Sequence, residues 1–122
     1  MQISKKKLNS TIKNQIEKIF FQMISDTNNP QDAGMIFSDF LTETEKQVIT
    51  KRLAVAIYLD KGRSYQNIKD ALKVSSATIA SVNEKMGDPG IQLALRKIKA
   101  EQWSDDWSAK ISSLVEKLVP AK

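Results

Sequence analysis

The side chains that could do chemistry here are hydroxyls, lysines, arginines and carboxylates, because the 122 residues include no cysteine and no histidine. That composition excludes disulfides, zinc–thiolate sites, a cysteine nucleophile and an imidazole general base. Asp105 and Asp106 resemble a catalytic carboxylate pair, but with no glycine loop beside them they fit the acidic first turn of a helix more simply. We therefore expect no enzyme, no catalytic residues, no metal site and no cofactor.

The most informative spacing lies in residues 64–86, where two short helical segments flank a break. Ile68 and Leu72 lie one turn apart in the first segment, and Ile79 and Val82 lie close together on the second. Helices with this spacing fold against each other at a steep angle and leave a small, polar outer face on the second. This helix-turn-helix shape fits the major groove of DNA. An ordinary helical hairpin has the same apolar pattern and stays open as an alternative.

The break between the two segments runs from Lys73 through Val74 to Ser75. Val74 is placed to fill the corner between the helices. Lys73 stands where such turns usually have glycine, so it must either adopt a left-handed backbone at some cost or impose a different turn.

If the second segment is the reading helix, the helix that enters the groove and contacts the bases, its outward side chains would determine which DNA sequence is bound. Hydroxyls can bond base edges or phosphates and alanine can contact thymine methyls, but none has the bidentate geometry of arginine on guanine or asparagine on adenine. Asn83 could supply such a contact only if it faces outward, which the pattern does not favour. The same residues would also suit a plain solvated face. The expected base-facing residues are Ser76, Ala77, Thr78, Ala80, Ser81 and Lys85.

Polar and cationic side chains around the first segment are the expected phosphate contacts. The net charge of +5 suits a polyanionic partner, but no dense basic patch is visible, so the expected affinity is moderate and salt-sensitive. Each lysine taken singly also fits an ordinary solubilising residue. The expected phosphate-binding residues are Lys61, Arg63, Tyr65, Gln66, Lys69 and Lys73.

Helices must position these residues, because proline and glycine are scarce and no segment alternates with period two. A stripe from Ile12 to Ile24 predicts a first amphipathic helix that stops at residues 26–30, and a short second helix follows at residues 31–41. We expect a single all-α domain of about six helices over residues 1–122. A C-terminal amphipathic helix is predicted at about residues 104–118.

Local signals mark where the later helices begin and end. Thr42 and Glu45 form a capping box that opens a long helix, and Gly62 is placed to cap its end near Asp60. Ser64 is expected to cap the first helix of the motif. The remaining start signals are Ser75 or Ser76 for the second helix of the motif, and Asp88 with Pro89 for the helix after it.

Apolar surface at both ends of the chain bears on location and assembly. No apolar run approaches the roughly 20 residues that span a bilayer, and the basic N-terminus leads into an amphipathic stretch, so we expect a cytoplasmic protein. The terminal helices carry more apolar surface than a small bundle readily hides. They either pack on each other within one chain or exchange between two chains of an intertwined homodimer.

Residues 40–86, from Phe40 to Met86, resemble the tryptophan repressor family, and the likeness extends over about residues 10–100. Among members it is most similar to the small YerC/YecD-like branch. The resemblance implies an all-α homodimer with interlocked N-terminal helices and two motifs presented to successive major grooves. The matching features are Leu41 with Thr42, Arg52, Gly62, the Ile68–Leu72 helix, and Ala77-Thr78-Ile79.

The departures from the family concern its corepressor site. In the tryptophan repressor an arginine of the long helix and another of the reading helix grip the amino acid. Arg52 matches the first, so it either lines a leftover ligand pocket or pairs with a carboxylate such as Glu45. Ser81 stands at the second position, followed by Val82 where the family has glycine. Losing that arginine removes a charge-assisted partner worth about 1.5–3 kcal/mol.

We therefore expect a dimeric, sequence-specific transcriptional regulator that binds double-stranded DNA and does not sense tryptophan through the usual arginine pair. An unknown small-molecule effector fits this prediction. Two alternatives stay open: a non-specific, architectural DNA-binding protein, and a protein–protein adaptor on the same scaffold.

Overall fold

A computed structural model describes residues 6–100 and 109–114. Within those ranges all regular secondary structure is helical, which confirms the predicted all-α class. Residues 109–114 form part of the predicted C-terminal helix, whereas the rest of that helix and both tryptophans, Trp103 and Trp107, lie outside the described residues. The six longer helices are α1 (Ser10–Asp26), α2 (Pro30–Phe40), α3 (Glu43–Asp60), α4 (Tyr65–Leu72), α5 (Ser76–Glu84) and α6 (Pro89–Ala100).

The chain divides into two compact units, Met1–Lys46 and Gln47–Lys122. In the first, α1 begins where the side chain of Asn9 accepts the backbone N–H of Thr11 at 2.9 Å. The second helix begins where Asn29 accepts the N–H of Asp32 at 2.8 Å, with proline at its start. Neither α1 nor α2 has a buried residue.

The long helix α3 begins with the predicted capping box. The Thr42 backbone N–H donates to Glu45 Oε1 at 2.8 Å, and the Glu45 N–H donates to Thr42 Oγ1 at 3.1 Å. Two orphan groups at the helix start are thereby satisfied reciprocally. These bonds, the backbone one first, lower the pKa of the Glu45 carboxyl below its ordinary value of 4.5.

The hydrophobic core lies in the second unit and is built around the motif. Ile68 and Ile79, one from each helix of the motif, are fully buried. Val74, between them, is partly buried against the same core, as its predicted corner position requires. Ile111, from residues 109–114, also packs there. The buried core residues are Val55, Ala56, Ile57, Tyr58, Ile68, Ala71, Ile79, Val82 and Leu95.

In the part of the chain that the structure describes, no helix combines the length and apolarity needed to cross a membrane.

Candidate nucleic-acid interface

Serine caps fix the starts of both helices of the motif. The Ser64 hydroxyl accepts the backbone N–H of Asn67 at 3.1 Å, and the Ser75 hydroxyl accepts that of Thr78 at 3.1 Å. Ser64 is the predicted cap, and Ser75 is the one of two candidate serines that caps α5. The cap hydroxyls are thus engaged in holding the helix ends.

The turn of the motif adopts the left-handed option. Lys73 has φ 54° and ψ 50°, and its N–H donates to the Lys69 carbonyl at 3.0 Å. The Lys51 ammonium donates to the Lys73 carbonyl at 3.3 Å and so holds the turn from α3. Lys51 is a residue that the sequence did not point to, because it lies 22 positions away and shares no local motif with the turn.

The expected base-facing residues differ in exposure. Ser76 and Ala77, in the first turn of α5, are exposed. Thr78 is half-buried, and its hydroxyl lies 3.0 Å from that of Ser75. Ala80 and Ser81 are half-buried as well, whereas Lys85 is exposed.

Asn83 is exposed, although the sequence pattern does not favour an outward position for it. The exposed carboxamide of Asn83 has the geometry to form the two hydrogen bonds by which an asparagine recognises adenine. Exposure of a residue between two core positions depends on the packing angle of the helix, which the pattern alone does not fix.

The expected phosphate-binding side chains lie on α4 and on the turns at its two ends. Gln66 is held along the helix because its amide donates to Asp70 Oδ1 at 2.9 Å. An exposed cation here retains its hydration until it meets a partner, so the arrangement suits salt-dependent contacts. All six expected phosphate-binding residues are exposed: Lys61, Arg63, Tyr65, Gln66, Lys69 and Lys73.

Arg63, just before the cap of α4, has more contacts than the lysines. Its backbone N–H donates to the Tyr58 carbonyl at 3.0 Å, and its guanidinium lies 5.5 Å from the centre of the Tyr58 ring. Its Nη1 also lies 3.5 Å from Asn67 Oδ1. Burial raises the pKa of the Tyr58 phenol above 10.0, and the nearby arginine opposes that rise.

A cavity of about 230 Å³ lies between α3, α5 and α6. Its walls are largely apolar and include Leu53, Val82 and Ile91, while Arg52 and Lys85 supply cationic groups. Val82 is only 4% exposed, so its side chain occupies space that a glycine would leave open. Among the described residues, neither Arg52 nor Lys85 forms an ion pair. Apolar walls with two cationic groups suit a small ligand that has an apolar body and one negatively charged group.

Within residues 6–100 and 109–114, no three carboxylates come together in a group that could hold a metal ion.

Comparison with known proteins adds the family. The sequence model described as Trp repressor protein matches residues 15–99, more than half of the chain, and includes the whole motif. Searches of curated proteins and of solved structures found no match. The matched family is one of helix-turn-helix regulators that bind DNA, not a family of enzymes. The chain therefore belongs to the Trp repressor family.

Proposed function

We propose that the protein is a sequence-specific transcriptional regulator of the cytoplasm, which recognises operator DNA as a homodimer. The observation that carries this proposal is the motif itself: Ile68 and Ile79 are buried in one core, serines cap both helices, and the reading helix begins with two small, exposed residues, Ser76 and Ala77. These features are what entry into the major groove requires. Exposed cations on α4 and its flanking turns would position the motif on the phosphates.

Homodimer formation is supported by the apolar surface of the first unit. Ile19 is 70% exposed and Phe21 is 60% exposed. Large exposed apolar surface marks a protein–protein contact, and a second copy of the chain would cover it. Two-fold pairing would also set two motifs at the spacing of successive major grooves. The other exposed apolar residues of this unit are Leu8, Ile12, Ile16, Phe20, Ile24, Met35 and Phe40.

The cavity beside α5 supports an effector other than tryptophan, in line with a YerC/YecD-like member. Ser81 offers no cation, and the buried Val82 fills space within the cavity. Tryptophan would then neither raise the melting temperature nor tighten DNA binding, since a ligand stabilises only the state that it binds. A concentration-dependent rise in melting temperature with tryptophan would refute this part of the proposal.

A charge-reversal pair tests DNA binding directly. Lys73→Glu at the motif turn should weaken binding to duplex DNA several-fold and reduce its salt dependence, because each phosphate contact contributes about one unit to the salt slope. Lys97→Glu on α6 is the matched control, with the same charge change outside the motif, and should have a much smaller effect. Equal effects of both variants would indicate general charge attraction, and no binding by the wild type would favour the adaptor alternative.

The architectural alternative has one observation in its favour. The exposed first turn of α5 offers a hydroxyl and a methyl group, Ser76 and Ala77, which discriminate weakly among base pairs. Binding that fades uniformly with salt on every DNA sequence would support this alternative, whereas specific binding persists on its preferred site.

A further inference from the structure

The corner between α3 and α4 fixes the backbone of Arg63. Gly62 has φ +77°, its N–H donates to the Leu59 carbonyl at 3.0 Å, and the Arg63 N–H donates to the Tyr58 carbonyl at 3.0 Å. These two bonds define a Schellman motif, in which the residue after the glycine is brought against the residue five positions earlier. That contact is usually between two apolar side chains, but here it joins an arginine and a tyrosine.

The same contact fixes the charged end of the side chain. The Arg63 guanidinium lies 5.5 Å from the centre of the Tyr58 ring, within the range of a cation–π interaction. Tyr58 is only 4% exposed and belongs to the core, so the ring is a rigid platform. The guanidinium is also 3.5 Å from Asn67 Oδ1, and the backbone of Asn67 is itself bonded to the Ser64 cap.

Arg63 nevertheless remains open to a ligand. The residue is exposed, and a guanidinium has five N–H donors, of which the contact with Asn67 uses one. A planar cation held in place loses less rotamer freedom on binding than a lysine on a free stem. Its position is also apt, because the first helix of such a motif crosses the DNA backbone.

We infer that Arg63 is a fixed phosphate-binding cation at the start of the motif, and that Tyr58 is the positioning residue that holds it. This inference rests on the proposed DNA-binding function. Tyr58 contacts no DNA; it acts only through Arg63. Among the described residues, Lys61 and Lys69 make no side-chain contact of this kind, and as exposed side chains they serve as ordinary cations.

A double-mutant cycle on duplex DNA tests the inference. Tyr58→Phe keeps an aromatic ring and should leave affinity within about two-fold, whereas Tyr58→Leu removes the ring and should weaken binding about three- to five-fold, the equivalent of an exposed cation–π contact. Arg63→Ala should reduce the salt slope by about one. Once arginine is absent, Tyr58→Leu should weaken binding no further.

The controls separate positioning from stability and from the wider function. In a Lys69→Ala background, Tyr58→Leu should still weaken binding three- to five-fold. If Tyr58→Leu does not fold, Asn67→Ala replaces it, with a loss expected only where Arg63 is present. Independent losses from Tyr58 and Arg63 would overturn the inference while DNA binding stands. A wild-type protein that binds no DNA would overturn both.

Discussion

At the scale of single residues, two side chains depart from common usage at the ends of α4. Lys73 takes the left-handed conformation that glycine usually fills, and Arg63 takes the place of an apolar residue in a Schellman contact. Each departure puts a cation beside a helix that would face DNA. At Lys73 a small cost in backbone strain therefore accompanies an added positive charge on the surface.

Replacing Lys73 with glycine should stabilise the protein. The left-handed backbone costs a lysine about 1–2 kcal/mol, a cost that glycine avoids. The greater conformational freedom of glycine stabilises the unfolded chain and so offsets part of that gain. The net gain in free energy of unfolding should be about 0.5–1 kcal/mol, measured by urea denaturation. Lys69→Gly is the control and should destabilise by about 1 kcal/mol, because its site is helical. A Lys73→Gly protein less stable than wild type would contradict the claim that the backbone of Lys73 is strained.

Sequence reasoning reached some of these residues but not others. Because the turn of the motif lacks a glycine, the sequence left two possibilities for Lys73: a left-handed backbone or a different turn. Only the structure shows that it adopts the left-handed backbone. Arg63 could be predicted as a phosphate contact, whereas its cation–π contact with Tyr58 could not, because that contact depends on the Schellman geometry at Gly62. That geometry leaves a usable signal: an aromatic residue five positions before a cation that follows a capping glycine.

At the scale of elements, side-chain caps decide where the helices begin. The capping box at Thr42 and the cap at Ser64 follow from residue type and spacing, whereas at α5 the sequence left Ser75 and Ser76 open and the structure shows Ser75 as the cap. The first helix shows that an apolar stripe alone does not locate a helix start. The stripe begins at Ile12, but the cap at Asn9 makes the helix begin at Ser10. A stripe marks the buried or partnered face, and a polar cap can extend a helix beyond it.

The capping box of α3 should make stability depend on pH. Because the folded pKa of Glu45 is lowered by its bonds from Thr42, its carboxylate contributes stability above the unfolded value of 4.5. That contribution is lost as the pH falls through the folded pKa. Glu45→Gln, which does not titrate, should be less stable than wild type at pH 7, and urea denaturation should show the difference vanishing in acid. A difference that persists at about pH 2 would contradict this account.

At the scale of the whole molecule, burial differs sharply between the two units. The second unit has a continuous core from α3 to α6, while α1 and α2 of the first bury no residue at all. Periodicity predicted amphipathic helices in both units, but it cannot tell which apolar faces find partners within one chain. The family membership and the exposed faces together support an intertwined dimer.

A charged residue on α1 should break that dimer. Ile19→Glu places a carboxylate where an apolar side chain is 70% exposed in the single chain, and burying that charge at an interface without a partner is costly. Sedimentation or light scattering should give a dimer for wild type and a monomer for the variant. Asn14→Glu on the same helix introduces the same charge at an already polar exposed position and should stay dimeric. A monomeric wild type would rule out the dimer.

The most direct test of the central claim is selection of the purified protein on random duplex DNA at about physiological salt, followed by sequencing. A sequence-specific dimer predicts one enriched motif with two-fold symmetry and half-sites about one helical turn apart. The Lys73→Glu variant should recover far less of it. Recovery of DNA without any shared motif would contradict sequence-specific recognition. Recovery of none, with or without added cell metabolites, would contradict DNA binding itself.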